Sequence, residues 1–522
     1  MHAPHLHRKG LTALLAVPAL AAVPVLGHLA PGSHARAAVA GPAPAIRGAA
    51  ARVSVSRSPR HLSGIAILRA TVRSARLRLV AVTFELDGRP VGSDTTAPYT
   101  LDVDSADLPR GTHRLSAVAV DRMGRRSRSP AVAVRIARGY ARAIHATPGR
   151  GLDRALEALR TGGVTVRLAP GTYAIDPLSI ASGVRLVGAG PSTVLVPADG
   201  TSPDALVDVG GSDVRISNLA VDGLGRAGRA ISVRNASDVR LQRLTIRGVQ
   251  VNGVESSGVH REISIQDSTI DGTGASDAGL FDFGSVDSRD VSVLRTRISG
   301  FQGYGILFAQ RFYALPTAAL HNLALDNRIS NIFDPARADG TDEGAIWTGG
   351  VEAAIIANHI RGTGIDGVET VGSSTRTTIV GNDIAATPVG VYLEHSTNDS
   401  LIAHNHIADV GTGINVEWRH AGGGSSTNTF AANEIVHARN AGLFVDVGSD
   451  ANRIEGNVFV GGARPAIVLQ GASNNVVRDN RGCAAAGGRM VGEQAGRWED
   501  GSLATPGSNR IAGNVDGAAC GR

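Results

Sequence analysis

The sequence predicts an all-β chain dominated by a parallel β-solenoid, on three observations. The first is one phrase written four times: Gly390-Val391-Tyr392-Leu393-Glu394, Gly413-Ile414-Asn415-Val416-Glu417, Gly442-Leu443-Phe444-Val445-Asp446 and Ala466-Ile467-Val468-Leu469-Gln470. The second is an Asn-x-apolar step ahead of each phrase, at Asn382, Asn405, Asn433 and Asn457. Their spacings are 405−382 = 23, 433−405 = 28 and 457−433 = 24 residues, and Asn327, Asn358 and Asn480 extend the series. The third is composition: 66 glycines and 4% aromatic residues in 522 favour short strands and tight turns over helices. A repeat of this length is one coil, too small to bury its own apolar face, so it must stack on its neighbours.

Alternation within the phrase sets the faces. Val391, Leu393, Ile414, Val416, Leu443, Val445, Ile467 and Leu469 point into the coil, and Tyr392, Glu394, Asn415, Glu417, Phe444, Asp446, Val468 and Gln470 point out. The recurrent asparagines stack at a turn, where their amides hydrogen-bond from coil to coil. Repeat matching gives about eleven coils.

The rest of the chain follows in order. Residues 1–40 read as a secretory signal peptide: a basic stretch from His5 to Lys9, an apolar run from Leu11 to Leu26, and small residues at Ala35-Arg36-Ala37 or Ala38-Val39-Ala40 for cleavage. The mature protein is therefore expected outside the cell, and no later run is apolar for long enough to span a bilayer. Residues 41–51 are a Pro/Gly/Ala linker. Residues 52–137 change rhythm, with strand-like runs at Ala66 to Val72, Leu79 to Leu86, Tyr99 to Val103, His113 to Val120 and Ala131 to Ile136, as in a small antiparallel sandwich. The order Phe84-Glu85-Leu86-Asp87-Gly88, Ala97-Pro98-Tyr99, Gly111-Thr112-His113 and Ala119-Val120-Asp121 resembles the bacterial immunoglobulin-like modules attached to secreted enzymes and adhesins, which implies a spacer or attachment role. In 138–522, Leu152, Leu156 and Leu159 form one face of a short helix that caps the first coil. The stretches Gly163 to Tyr173 and Gly183 to Gly190 resemble the opening coils of the pectate-lyase-like superfamily of right-handed parallel β-helices, and the later coils are similar to repeats of sugar-binding and sugar-cleaving members. The resemblance implies the fold for this whole segment.

Charge narrows the partners. The net charge of +6 is modest, Lys9 is the sole lysine, and the arginines are scattered apart from Arg122 to Arg128, read as a solvated hairpin loop. This favours a soluble protein drawn to acidic glycans over a nucleic-acid binder. Export makes Cys483 and Cys520 candidates for a disulfide closing the C-terminal end, with two free thiols as the alternative.

Chemistry is expected on the outer face of the repeats. Equivalent residues on successive coils lie about 4.8 Å apart, so Glu394 and Glu417 sit one above the other. Glu369 is placed in the coil below, since 394−369 = 25, with Asp366 as the alternative occupant, and Asp446 in the coil above. Such a stack raises some pKa values, recruits a cation such as calcium, or needs arginine beside it. Glu369, Glu394 and Glu417 are the candidate catalytic residues, one as general acid and another as base or nucleophile. Tyr392, His395, Arg419 and His420 line the same groove as candidate substrate-binding residues, as do Asp342, Glu343, Asp366 and Asp446. Two insertions, 332–343 and 418–427, flank it. The same residues read equally as polar groups on the wet face of a sheet. The Asn-Thr-Asp, Asp-Asp and Gly-His-Gly elements of polygalacturonases are absent, and Phe333-Asp334-Pro335 is followed by Ala336 where alginate epimerases carry histidine.

Two functions follow as expectations. One is a secreted enzyme cleaving an acidic, uronate-bearing polysaccharide by lyase or hydrolase chemistry; the other is a non-catalytic glycan-binding or adhesin-like protein. An extracellular polysaccharide is the partner of both, with no nucleic acid and no membrane insertion.

Overall fold

The computed structural model describes residues 51–56, 61–73, 78–137, 143–284, 288–309, 320–333, 344–394, 396–417, 424–483 and 489–517. Within them the chain is an immunoglobulin-like sandwich followed by a β-solenoid of about 13 turns, two more than repeat matching gave. Among the described residues no helix is long and apolar enough to cross a membrane.

The sandwich has two antiparallel sheets. One joins Arg52–Val55, Ile65–Arg73 and Thr100–Asp104; the other is built on Leu79–Leu86, Arg89–Asp94, Gly111–Asp121 and Val132–Ile136. Phe84, Leu101, Leu115 and Val134 fill the space between them.

Three parallel sheets run along the solenoid. We call them the flank sheet, which begins with Ala143–Ala146 and Thr165–Leu168, the corner sheet, which begins with Gly171–Ile175, and the site sheet, which begins with Leu178–Ile180 and has thirteen strands. The long strands Val214–Arg234 and Ser237–Gly258 each pass through all three. All eight residues expected to point inward are fully buried. The helix α1, Leu152–Thr161, lies over the first coil, with Ala155 and Leu159 buried and Leu152 and Leu156 packed against the core.

The asparagines form a continuous ladder. From Asn327 to Asn358, Asn382, Asn405, Asn433, Asn457, Asn480 and Asn514, each backbone N–H donates to the side-chain carbonyl of the next, at 2.9–3.1 Å. The residue before each of the first seven has a left-handed φ, from Asp326 at 57° to Asp479 at 56°. That bend is costly for a side chain such as Ala432, and the asparagine offsets it by meeting the backbone groups it exposes. A second ladder, Asn428, Asn452, Asn475 and Asn509, turns the opposite corner. At the far end Cys483 is disulfide-bonded, and among the described residues no cysteine is free; Cys520 lies outside the described residues.

The sandwich does not hang from the solenoid as a spacer. It lies against the flank sheet, with Ala81 and Val120 packed on Leu294, Leu323, Leu325, Ala354 and Ile356. Arg122, expected in a solvated loop, donates to the carbonyls of Ala353 and Arg376 at 3.0 Å each. The site sheet is a different face of the coil.

Candidate active site

The strands Val389–Glu394 and Thr412–Glu417 carry the centre of the site. Their register is fixed from inside, because Gly390 and Gly413 stack so closely that a Cβ on Gly390 would lie 2.6 Å from the carbonyl oxygen of Gly413, and one on Gly413 2.3 Å from that of Gly442. With the glycines aligned, Glu394 pairs with Glu417 and Tyr392 with Asn415. Val416 pairs with Val445 and Val445 with Leu469, so Asp446 and Gln470 continue the column of Glu394 and Glu417. Glu394 and Glu417 are half-buried, whereas Asp446, expected on the outside, is fully buried. Gln470 donates to the Asp446 carboxylate at 3.1 Å, and Asn415 to Glu417 at 3.1 Å.

Glu369 is not in that column. It pairs with Tyr392 above and Trp347 below, and Thr370 pairs with Leu393. The spacing of 25 residues misplaced it because the coil from Glu369 to Tyr392 is 392−369 = 23 residues. Gly367 aligns with the glycine column, with its Cβ position 2.5 Å from the carbonyl oxygen of Gly390, and Glu369 follows it by two residues where Glu394 follows Gly390 by four. Asp366 does not take the place either. It sits at the start of its strand above Gly344, where its carboxylate accepts from the Val389 N–H at 3.1 Å. Both carboxylates are buried and lie beside the column rather than in it.

Tyr392 stands among these acids. Burial first, and then the negative charges of Glu394, Glu417, Glu369 and Asp366, push its phenol far above the ordinary tyrosine range. The ring therefore carries an O–H that donates and does not ionise. Below Glu369 the outward residues turn apolar: Phe281, Leu307 and Trp347 follow one another in register, and Tyr304 meets Trp347 edge-to-face at 6.3 Å and 69°. Trp347 and Tyr304 belong to this face and escaped the sequence reading, because neither falls in a copy of the repeated phrase.

His395, Arg419, His420, Asp342 and Glu343 lie outside the described residues. Among the described residues no group of three or more histidine, cysteine or acidic side chains is arranged to hold a metal ion. His404 and His406, two residues apart, do not face one ligand. His404 is a corner residue with φ 54°, and His406 lies on the corner sheet, 3.0 Å from Glu434.

Comparison with known proteins agrees with this architecture. Residues 343–482 match the family described as a right handed beta helix region, and residues 61–117 match the bacterial Ig domain. No curated protein sequence matches. Among solved structures, the A-module of a mannuronan C-5 epimerase from Azotobacter vinelandii is 16% identical, with a TM-score of 0.52 over 64% of this chain and 95% of the other. A family 28 exopolygalacturonase from Yersinia enterocolitica is 9% identical, with a TM-score of 0.48 over 89% and 100%. A surface adhesin of Streptococcus pneumoniae is 13% identical, with a TM-score of 0.38 over 70% and 86%. The first of these shows a shared fold and no more. The chain joins a bacterial Ig-like module to a right-handed parallel β-helix.

Proposed function

We propose that the site sheet cleaves an extracellular polysaccharide, with Glu394 and Glu417 as the carboxylate pair. The observation that carries this reading is their pairing on adjacent coils. Backbones about 4.8 Å apart bring two carboxyl groups close to the separation of about 5–5.5 Å used by retaining glycosidases. One, protonated, gives its proton to the leaving oxygen, and the other attacks or stabilises the sugar carbon. Tyr392 adds a neutral donor beside them, and the half-buried rings of Tyr304 and Phe281, backed by the buried Trp347, offer an aromatic face on the N-terminal side. Glu369 acts from the neighbouring column, under Tyr392, by keeping that phenol protonated.

Preference for a uronate-bearing polymer is read from the sequence, where Arg419 and His420 supply cationic groups able to pair with a sugar carboxylate. The apolar run from Leu11 to Leu26 supports export. The test is release of reducing ends from a panel of acidic and neutral polysaccharides, with calcium and with chelator. Release that disappears in both Glu394→Gln and Glu417→Gln supports the pair; release unchanged in both sinks it. A second reading, binding without cleavage, is favoured by the aromatic run on the same face. It predicts retention of a polymer with no ends released, reduced when Tyr304 becomes alanine.

A further inference from the structure

We propose that the Ig-like module is an integral flank of the β-helix, held by a surface matched to it coil by coil, and that it stays bound when the connection between the two is cut. The flank sheet carries a graded row of outward residues. Arg185, Arg215 and Arg240 stack in register on three successive coils, a like-charge column that a solvated sheet does not favour at about 4.8 Å spacing. Asp102 of the module enters this column and pairs with all three, at 3.5 Å from Arg215 and 3.1 Å from Arg240, with Arg185 closest. One coil earlier Arg167 holds Asp104 at 2.6 Å and Asp107 at 2.8 Å.

Further along, the chemistry changes on both sides together. Gln266 accepts from the Ser93 N–H and donates to the Ser93 carbonyl, each at 2.9 Å, so it completes the open edge of strand Arg89–Asp94. Leu294, Leu323, Leu325 and Ile356 then meet Ala81 and Val120. At the last contact Arg78 and Arg122 reach the buried carboxylate of Glu352 at 3.1 and 3.5 Å. The matched row runs from Arg167 to the backbone of Arg376, across nine successive strands of the flank sheet, or about 38 Å at 4.8 Å per coil. Acid meets base at one end, backbone meets amide in the middle and apolar meets apolar beyond, so only one orientation satisfies all three. A module that merely trails on a tether needs no such row.

The test keeps the full chain. A site-specific protease sequence, flanked by glycine and serine, is inserted between Gly139 and Tyr140, cut, and the product run by size exclusion at low and high salt. The proposal expects one native species at both salts that separates into two fragments only in denaturant. Two native species at either salt overturn it. Asp102→Arg in the same cut chain is expected to release the module. Because that change could prevent folding altogether, Asp102→Asn is run beside it and is expected to release the module at high salt, where the parent retains it. Retention by Asp102→Asn at both salts would overturn the role given to the arginine column.

Discussion

On the flank sheet, Arg185, Arg215 and Arg240 stack coil over coil; on the site sheet, Glu394, Glu417 and Asp446 stack by the same register rule. The two columns differ in what has been brought to them. The arginines are closed over by Asp102 from another module, and the side chains of Arg215, Arg240 and Asp102 are 12–16% exposed. Glu394 and Glu417 stay half-buried beside a tyrosine and an amide of their own sheet. A repeat protein cannot avoid stacking like residues. The arginine stack is closed by a counter-charge from another module, while the acidic stack meets polar groups of its own sheet and runs into the fully buried Asp446.

The largest effect should come from the acidic column. Glu394→Gln or Glu417→Gln is expected to lower polysaccharide cleavage by about 10²–10⁴-fold while changing unfolding free energy by less than about 1 kcal/mol. Reducing-end assays beside chemical denaturation check both halves, and a large stability loss with little change in rate would erase the contrast between the columns. The closed column should behave in reverse. Asp102→Asn leaves three guanidiniums facing an uncharged amide and should cost about 3 kcal/mol, with cleavage by the folded fraction unchanged.

The pH dependence of that cost has a definite sign. Burial alone would raise the Asp102 pKa, but Arg215, Arg185 and Arg240 hold the carboxyl well below its usual range. Its stabilisation is therefore complete above the unfolded value of about 3.9 and is lost as the pH falls from there towards the folded value. The difference between wild type and Asp102→Asn in urea midpoints should be flat from pH 5 to 8, narrowing only below about pH 4. A difference that shrinks near neutrality would place the charge compensation elsewhere. Two smaller changes grade the flank. Leu323→Ala, in the apolar part of the interface, should cost about 2–3 kcal/mol. Arg126→Ala, which removes a half-exposed ion pair with Asp326, should cost under about 1 kcal/mol; equal losses at the two positions would show that packing does not dominate there.

Much of the solenoid was legible because its rule is local and repeated. Each copy of the phrase states which residues face in, and Val391, Leu393, Ile414 and Val416 all do. The register of Glu369 was not legible from counting, since coil length varies and the alignment is set by glycine contacts between coils rather than by residue number. Asp446 was placed in the right column and on the wrong side of burial, because sequence alternation does not show what packs over an outward residue. The docking of the module was hidden for a different reason. Its contacts join residues such as Ser93 and Gln266, 173 positions apart, and the arginine column that marks the surface becomes visible only once three coils are laid in register. The second asparagine ladder lay in plain view, at spacings of 452−428 = 24, 475−452 = 23 and 509−475 = 34.

The asparagine ladder also bears on how such a chain can lengthen. Every rung hands a donor to the next and receives one from the last, so a duplicated coil between Asn405 and Asn433 would arrive with its own asparagine and leave no group unmatched. Between Arg215 and Arg240 the same duplication would carry Gln266 and Leu294 one rung away from Ser93 and Ala81. The flank module thus acts as a gauge of fixed length laid along the coils from Arg167 to Arg376, and a whole repeat can be added without displacing its contacts only beyond that reach.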